Sequence, residues 1–478
     1  MRAACLVVLV FAAGCAVGPN FRRPKPPDAS SYNAGGDPTS TITADGRSQR
    51  FVAGADVTAD WWRLFGSSSI DAVVAHAIAR NPNLDAARAS LRKSRNELRA
   101  GYGAFFPQID AQAGGIYQQQ SLLRFGQNTP PTDFALYTVG GSVTYALDIW
   151  GGQRRQVEAL AALADAQRWA LDGAYVMLCG NVVDALLAQA GYRAQLEATR
   201  SIIDLEREQL RVAEAQAAGG TAPYTNVLSI RTQVATSEAL VPQLEQKIDQ
   251  SNHLVTALVG EAPSVWSVPQ MTLEDVALPA DVPVTLPSKL VRQRPDILVA
   301  EATLHAANAQ IGVATAAMLP NITLSASGGG NNTSLAELFA PNALFGSVGA
   351  GVTAPIFHGG TLWHQRKAAI DARDAAAALY RQTVIGAFQQ VADALRALEH
   401  DAQALAAQKT AVDSAARASE LLQANYRAGV ASYIQVIITN EQYIQAKIAY
   451  VATVTQRLQD TVSLYVALGG GWWNASPT

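Results

Sequence analysis

The chain has 478 residues, of which 49% are hydrophobic and only 16% charged, and its formal net charge is −3. This charge is mild and no basic block accompanies it, which argues against nucleic acid as a partner. The charged share lies below the roughly 25% that soluble globular domains usually carry. Three cysteines, Cys5, Cys15 and Cys179, are too few for a disulfide framework.

The first 15 residues have the pattern of a bacterial lipoprotein signal. Arg2 precedes an apolar run from Ala3 to Ala13, and small residues lead into Cys15. The Pro-rich stretch AVGPNFRRPKPP follows, which is suited to an extended tether. We therefore predict a signal peptide over 1–14, lipidation (palmitate) on Cys15, and an anchor with its tether over 15–66. Ala12 departs from the leucine usual in a lipobox, so ordinary secretion with an accidental cysteine is the alternative.

The rest of the chain repeats itself with an offset near 210 residues. Two prolines are 25 residues apart in each half, and two glycines are 40 residues apart in each half. The paired landmarks are Pro82 and Pro107 with Pro295 and Pro320, and Gly220 and Gly260 with Gly429 and Gly469. We predict a first structural repeat over 67–265, a linker over 266–290, a second repeat over 291–469, and a tail over 470–478.

Each repeat is predicted to contain the same elements in the same order. An amphipathic helix comes first, over 67–102 and again over 294–317. Two β-patterned segments follow, and then a long Ala-rich helical stretch over 153–217 and again over 359–427. A Gly turn leads into a further helix of about 40 residues. At 1.5 Å per residue, about 60 residues form a helix roughly 90 Å long, which needs partners along its length.

The strand segments alternate apolar and polar residues. Segment 137–149 has its large apolar side chains at odd positions, and segment 344–356 has apolar residues at even positions. We expect no mature stretch to be apolar over a length sufficient for a membrane helix, so alternating strands are the remaining way to enter a bilayer. Four strands per chain are too few for a barrel, since single-chain barrels begin at about eight. The sequence predicts either an oligomer that shares a barrel or a soluble β-sandwich.

The residues then resemble a known family, the TolC-like outer-membrane factors of tripartite efflux pumps, in the lipoprotein branch with OprM and NodT. The segments that carry the resemblance are CAVGPNFRRPKPP, DWWRLFGSSSIDAVVAHAIARNPNL, LPSKLVRQRPDILVAEATLHAANAQIGVATAAMLPNITLSASGG and VGAGVTAPIFHGG. The resemblance implies a homotrimer whose twelve strands close one barrel in the outer membrane of a Gram-negative bacterium. Long helices continue this barrel as a periplasmic duct.

The resemblance also implies the partners of such a duct. A periplasmic adaptor (membrane fusion protein) and an inner-membrane pump, of RND type, drive drugs or other small toxic molecules through it. Acylation of Cys15 moors each protomer in the outer-membrane lipid. Export through a duct is passive, so no catalytic residue, cofactor or metal is expected and the protein is predicted not to be an enzyme.

The family closes its periplasmic end with helix pairs that bend inward at the two Gly turns, here at Gly220 and Gly429. Tyr426 matches the family's gate tyrosine. Relatives often carry an acid after the second turn and an arginine just beyond the glycine, where this chain has Ala431. The other candidate gate positions are Gln435, Ile438, Asn226 and Glu441. Because most of these residues are uncharged, the resemblance implies a constriction that binds cations weakly.

Smaller features indicate packing rather than chemistry. Cys179 lies in an apolar helical run and is predicted to be a core residue. The glycines at 328–330 are predicted to mark a strand end or an external loop, because SGGGNN lacks the Lys and Ser/Thr of a phosphate loop. A periplasmic coiled-coil scaffold lipoprotein without channel activity is the main alternative function, although it does not explain the four strands.

Overall fold

The computed structural model describes residues 16–474 except residues 122, 124, 125 and 127. The predicted signal peptide and Cys15 lie outside the described residues, as do the last four residues of the predicted tail. The described helices are α1 Ser68–Arg80, α2 Pro82–Tyr102, α3 Gly152–Ala218, α4 Tyr224–Glu238, α5 Leu240–Val259, α6 Pro287–Gln293, α7 Pro295–Ala316, α8 Thr361–Arg427 and α9 Tyr433–Ala467. The described strands are β1 Arg50–Ala53, β2 Gln108–Gln120, β3 Thr132–Leu147, β4 Asp281–Val284, β5 Asn321–Asn332 and β6 Leu344–Thr353.

The described part of the chain divides into two compact units, and the first consists of the described residues of 16–24, 91–167 and 300–380. It contains a four-stranded sheet in the order β2-β3-β5-β6, in which every neighbouring pair is antiparallel. All four predicted strands are therefore confirmed. The two strands of each repeat pair with each other, and β3 joins the repeats because Leu147 lies opposite Ile322.

Much of the apolar side-chain surface of this sheet is exposed. Val348 is 90% exposed, Ile109 77% and Val352 67%. Among the described residues, the outer strands β2 and β6 each pair with one neighbour only, so each leaves one edge without a strand partner there. Open edges and exposed apolar side chains are unstable in water, and the sheet thus needs a further partner.

The prediction for the glycine cluster at 328–330 is wrong. These residues lie inside β5 and pair with both β3 and β6. A Cβ on Gly329 would lie 2.2 Å from the Val139 carbonyl oxygen, and one on Gly140 would lie 3.0 Å from the Gly328 oxygen. Because glycine has no side chain, β3 and β5 can approach closely here. The glycine cluster therefore permits the close pairing of these two strands.

The second unit consists of residues 25–90, 168–299 and 381–474 and is mainly helical. The two long helices α3 and α8 have 67 residues each, close to the predicted bounds. The predicted helix of about 40 residues after the turn is correct for α9 but wrong for the first repeat, where α4 ends at Glu238 and α5 begins at Leu240. Pro242 explains the break, since its ring removes one hydrogen bond and clashes with the carbonyl of Glu238.

Prolines also divide the first helix of each repeat. Helix α1 ends at Arg80 and α2 begins at Pro82, while α7 begins at Pro295. The prediction of one continuous helix over 67–102 is therefore wrong, because the residue before a proline avoids the helical conformation. Asn81, at that break, is extended with ψ 120°.

In each repeat, the residue before the proline donates a hydrogen bond to the last turn of the final helix of that repeat. This helix is α5 in the first repeat and α9 in the second. Asn81 Nδ2 donates to the Leu258 carbonyl at 2.6 Å, and Arg294 Nη1 donates to the Ala467 carbonyl at 2.8 Å. Gly260 lies so close to this contact that a Cβ there would meet the Arg80 oxygen at 2.5 Å. The two halves thus use different side chains for an equivalent connection.

A second, small sheet was not predicted. Strand β1, inside the predicted tether, pairs in parallel with β4, inside the predicted linker. Beside β1 in sequence, a short 3₁₀ helix buries Trp61, Trp62 and Phe65, and Trp61 stacks on Tyr465 with ring centroids 5.3 Å apart. Four-residue strands carry too short an alternation to be recognised in a sequence.

The expectation that no mature stretch is apolar enough for a membrane helix is wrong. By length and composition alone, α3 is long and apolar enough to cross a membrane. Helix α3 contains an 18-residue window with a mean hydropathy of 1.4. Half of that window is buried within the chain, and it includes the buried Cys179. A core helix passes the same test, so the window by itself is weak support for a span.

Two carboxyl groups face each other where α8 and α9 pack, and they predict a dependence of stability on pH. Burial raises the pKa of Asp401 from 3.8 to about 7, and a hydrogen bond to Asp460 and its charge add to this, while Arg457 opposes it. The folded state therefore holds this proton more tightly than the unfolded state. The free energy of unfolding should fall as the pH rises from about 4 to about 7.

We expect Asp401→Asn to remove this effect. The variant should raise the free energy of unfolding by on the order of 1 kcal/mol at pH 8 and change it little at pH 5. Denaturant unfolding at the two pH values measures the difference. Asp413→Asn on the exposed side of α8, where Asp413 pairs with Lys409, is the control. An equal gain at both pH values would contradict the prediction.

Candidate functional site

The two turns that join long helix to return helix have the same backbone geometry. Gly220 and Gly429 have φ of 71° and 75°, in the left-handed region. The next amide in each turn bonds the carbonyl five residues earlier, Thr221 to Gln216 and Val430 to Asn425. This pattern ends a helix at a glycine. A Cβ would meet nothing within 4 Å at either position, so it is the backbone angle that requires glycine.

Tyr426 ties the two turns together. Its hydroxyl donates to Gln216 Oε1 at 2.7 Å, and this bond joins the last turn of α8 to the last turn of α3. Its ring packs edge-on against Tyr433, with centroids 5.3 Å apart. Tyr433 is buried and belongs to an apolar cluster with Val227 and Ile230 on α4.

A second polar connection lies further from the turns. Asn440 on α9 is 1% exposed, and its Nδ2 donates to Gln209 Oε1 on α3 at 3.0 Å. Its Oδ1 accepts a hydrogen bond from Ser419 Oγ at 2.8 Å and a longer one from Gln423 at 3.4 Å. One buried amide thus links three helices, α3, α8 and α9.

A buried carboxyl group lies on α3 in the same region. Glu206 is 1% exposed, and Gln233 on α4 donates to its Oε1 at 3.2 Å. Burial raises the pKa of Glu206, and the charges of Glu238 and Glu441 raise it further. The carboxyl is therefore held towards its neutral form.

Exposed ion pairs run along the first helix pair. They join α3 to α4 and α5, through Arg231–Glu214, Arg207–Glu238 and Arg200–Glu245. Surface pairs of this kind contribute little stability each. The buried amide and tyrosine contacts are the stronger connections in this region.

The predicted gate residues do not all meet. Tyr426 is central, but Gln435 caps its own helix, since its Oε1 accepts the Ser432 amide at 3.0 Å. Ile438 is half-exposed at 49%, Asn226 is half-buried, and Glu441 is exposed. Glu206 is a second acid in this region, and the charge of Glu441 raises the pKa of Glu206.

The residues that sequence reasoning missed are Gln216, Gln209, Asn440, Ser419 and Glu206. A signal existed, since Ser419 and Gln423 are polar residues four apart on one face of a helix. Their partners lie far away in sequence, however, as with Gln209 and Asn440, 231 positions apart. No pattern within a single repeat indicates such pairs.

A separate contact region holds the segment that follows Cys15, within the first unit. Arg155 on α3 is buried, and its guanidinium donates to the Val17 carbonyl at 3.2 Å and to Asn20 Oδ1 at 2.6 Å. Asn308 on α7 donates to the Pro19 carbonyl at 2.9 Å. Gly18 has φ 90°, and a Cβ there would lie 2.5 Å from Gly312 Cα. This first part of the predicted extended tether is therefore docked against α3 and α7.

Charged and aromatic contacts complete this docking. Phe21 stacks on His305 with ring centroids 4.3 Å apart, and His305 Nε2 lies 2.9 Å from Glu158 Oε1. Glu158 also pairs with Arg155 at 2.7 Å. The hydrogen bonds of Arg155 and His305 hold the pKa of Glu158 below its ordinary value, although burial opposes them. The Val17 amide donates to the Trp150 carbonyl, which fixes the segment beside the start of α3.

The fold and the contacts at the two Gly turns identify the class of protein to which this chain belongs. The outer membrane efflux protein family model matches residues 73–261 and 286–470, so the chain belongs to this family. Within the described residues no cluster of three or more histidine, cysteine, aspartate or glutamate side chains could hold a metal ion.

Two named relatives of this chain are outer membrane proteins of export systems. The chain is 30% identical over 420 residues to the pyoverdine export outer membrane protein OpmQ of Pseudomonas aeruginosa, with 86% of this chain and 87% of that protein covered. It is 27% identical over 473 residues to the toluene efflux pump outer membrane protein TtgC of Pseudomonas putida, with 98% and 95% covered. These relatives are efflux proteins and not enzymes.

Solved structures share the fold. The outer-membrane channel OprN superimposes with a TM-score of 0.86 at 25% identity, with 96% of this chain and all of that chain covered. The Campylobacter jejuni CmeC outer membrane channel superimposes with a TM-score of 0.88 at 19% identity, with 97% and 96% covered.

Proposed function

We propose that this protein is an outer-membrane lipoprotein channel that forms the exit duct of a tripartite efflux pump of RND type. Three copies share one barrel of twelve strands, and their long helices line the periplasmic duct. A periplasmic adaptor and an inner-membrane pump deliver the cargo, drugs or other small toxic organic molecules. The relative named for toluene efflux supports this class of cargo.

The observation that carries the proposal is the four-stranded sheet. Its apolar side chains are exposed, and within the part of the chain that the structure describes its two outer strands each lack a second partner. A bilayer accepts the apolar side chains, but it tolerates no open strand edge. Joining β2 of one copy to β6 of the next satisfies both requirements, and several copies then close a barrel.

We also propose that the chain arose by duplication, with the repeats at 67–265 and 291–469. Several pairs of features support this. The two long helices have equal lengths, both turns contain a left-handed glycine, and Asn81 and Arg294 make equivalent bonds. The family match in two stretches agrees with it.

Lipidation of Cys15 remains part of the proposal. The docked segment supports it, because the contacts of Val17 and Gly18 hold the chain just after Cys15 against the junction of β3 and α3. Acylation would then attach the lipid directly before this docked segment. Labelling with a palmitate analogue tests this, and Cys15→Ala should abolish the label.

We propose that Tyr426 holds the gate closed through Gln216. Tyr426→Phe removes one partly exposed hydrogen bond and leaves the ring contact with Tyr433, at about 1 kcal/mol. Open events in a planar bilayer should therefore become about fivefold more frequent. Tyr443→Phe, on α9 outside this contact, is the control, and equal opening in both variants would contradict the role.

The gate should also bind polyvalent cations weakly, because Gln435, Ile438 and Asn226 are uncharged. We expect little block of the open pore at low concentrations of hexamminecobalt(III). Ile438→Asp adds one exposed acid per copy and should lower the half-blocking concentration at least about tenfold, as charge-assisted contacts of this kind do. Strong block of the unmodified pore at low concentration would contradict the expectation.

The test of the function is dye accumulation in the native host with the gene deleted and then restored. Deletion should raise intracellular dye and restoration should lower it. The purified protein should also run as a heat-modifiable, detergent-resistant oligomer that conducts ions. A monomer that salt removes from membranes and that does not conduct would favour the coiled-coil scaffold.

A further inference from the structure

The second unit contains a small cavity that the export duct does not require. Its volume is about 230 Å³. Its walls come from residues 44–47 before β1, from residues 273–278 before β4, and from the helices α3, α8 and α9. Apolar side chains form most of the wall, among them Leu405, Val451, Val454 and Leu458. Cavities for drug-sized ligands are larger, at roughly 300–1,000 Å³, so this one suits a smaller molecule.

The side chain of Arg457 lies in the wall of this cavity and is only 1% exposed. Its Nε donates to Gln49 Oε1 at 3.1 Å and its Nη2 to Thr41 Oγ1 at 3.0 Å. Its Nη1 is buried and has no hydrogen-bond partner. Among the described residues, no ion pair is formed by this guanidinium. A buried charge in this state is destabilising unless another group satisfies it.

A second cation faces the first. Arg47, at the mouth of the cavity, is exposed, and its positive charge acts on Arg457. Two acids also lie at the mouth, but Asp45 accepts the Tyr450 hydroxyl at 2.5 Å and Glu274 is exposed. Asp401, from the helix behind, interacts with Arg457 through its charge but is not paired with it. An anion inside the cavity would bring its charge next to both arginines.

We propose that this cavity binds a small organic anion, a carboxylate on a short apolar chain. The carboxylate accepts a hydrogen bond from Arg457 Nη1, and the chain lies against Leu405, Val454 and Leu458. Both halves of such a molecule are needed, since the wall is apolar and its buried charged group is a cation. This binding site is independent of the proposed duct and would exist whether or not the protein conducts.

The experiment is a titration of octanoate into the purified full-length oligomer in a nonionic detergent, followed by calorimetry. The neutral 1-octanol has the same chain and tests the need for the charge. We expect octanoate to bind one site per chain and 1-octanol to bind at least about tenfold more weakly, as the loss of a charge-assisted hydrogen bond predicts.

Variants distinguish binding of octanoate in the cavity from its partition into the detergent. Val454→Trp fills the cavity and Arg457→Met removes its buried cation, and each should weaken octanoate binding at least about tenfold. Arg47→Gln changes only an exposed side chain, so it keeps the test valid if Arg457→Met does not fold, and it should weaken binding severalfold. Arg417→Met, at an exposed position on α8, is the control and should bind octanoate like the unmodified protein.

Three results would overturn the proposal. Octanoate and 1-octanol could bind equally well, or all variants could bind octanoate equally, as simple partition into the detergent predicts. The unmodified oligomer could also fail to bind octanoate, as expected if a second copy of the chain covers the cavity. Selective binding that Val454→Trp and Arg47→Gln weaken, and Arg417→Met does not, supports it.

Discussion

Replacing Asn440 with leucine is expected to loosen the ends of α3, α8 and α9 near the Gly turns more than Tyr426→Phe does. The variant leaves Gln209 Oε1 without its donor and Ser419 Oγ without its acceptor, at a buried position that joins α3, α8 and α9. Each unsatisfied group costs about 1–3 kcal/mol. Hydrogen exchange of the amides in residues 433–445 should therefore become at least about tenfold faster.

The same variant should shift the proposed gate towards its open state. Channel openings in a planar bilayer should increase by more than Tyr426→Phe causes, because Tyr426 makes a single, partly exposed hydrogen bond to Gln216. Gln442→Leu, an exposed amide two residues further along α9, is the matched control. If Gln442→Leu and Asn440→Leu give the same exchange rates, the buried amide network does not hold the tips.

Replacing Arg155 with methionine is expected to release the segment after Cys15. The change removes the hydrogen bonds to Val17 and Asn20 and leaves Glu158 without its arginine. We expect a loss of about 2–3 kcal/mol in the docking of this segment, since Glu158 is partly exposed and keeps His305. Trypsin cleavage after Arg22 should accelerate at least about tenfold.

Arg154→Met provides the control for this prediction. Arg154 is the neighbouring arginine, and its guanidinium bonds Asp148 instead of the Val17 and Asn20 groups that Arg155 holds. Trypsin should cleave this variant at the rate of the unmodified protein. Equal cleavage of the Arg155 and Arg154 variants would mean that Phe21, Arg23 and the packing of Gly18 hold the segment without the guanidinium.

The elements of each repeat could be predicted from sequence because their periodic patterns are long. The helices α3 and α8 carry apolar residues at helical spacing over many turns, and the strands β3 and β6 alternate cleanly. The boundaries of the first helices and the break at Ala239 were missed, although Pro82 and Pro242 stand at those places. A proline's effect depends on one hydrogen bond and is easily outweighed in a long periodic pattern.

The candidate site could be predicted only in part, for a different reason. Tyr426 and the two glycines were found because the turns have a local signature. Gln216, Gln209 and Glu206 act through partners from the other repeat or the neighbouring helix. Local patterns carry no information on which buried polar group meets which. The cavity at Arg457 is assembled from five separated segments and was missed for the same reason.

The pairing of β3 with β5 also constrains the order in which the protein can be built. The hairpin of β2 and β3 is local, but the partner of Leu147 is Ile322, about 175 residues later in the chain. Until the second repeat is available, the inner edge of β3 therefore stays unpaired, with backbone N–H and C=O groups that lack partners. Such an edge favours aggregation. Slow emergence of the second repeat prolongs that exposure, so codon usage and export speed between 148 and 321 should influence yield more than the same changes after 353.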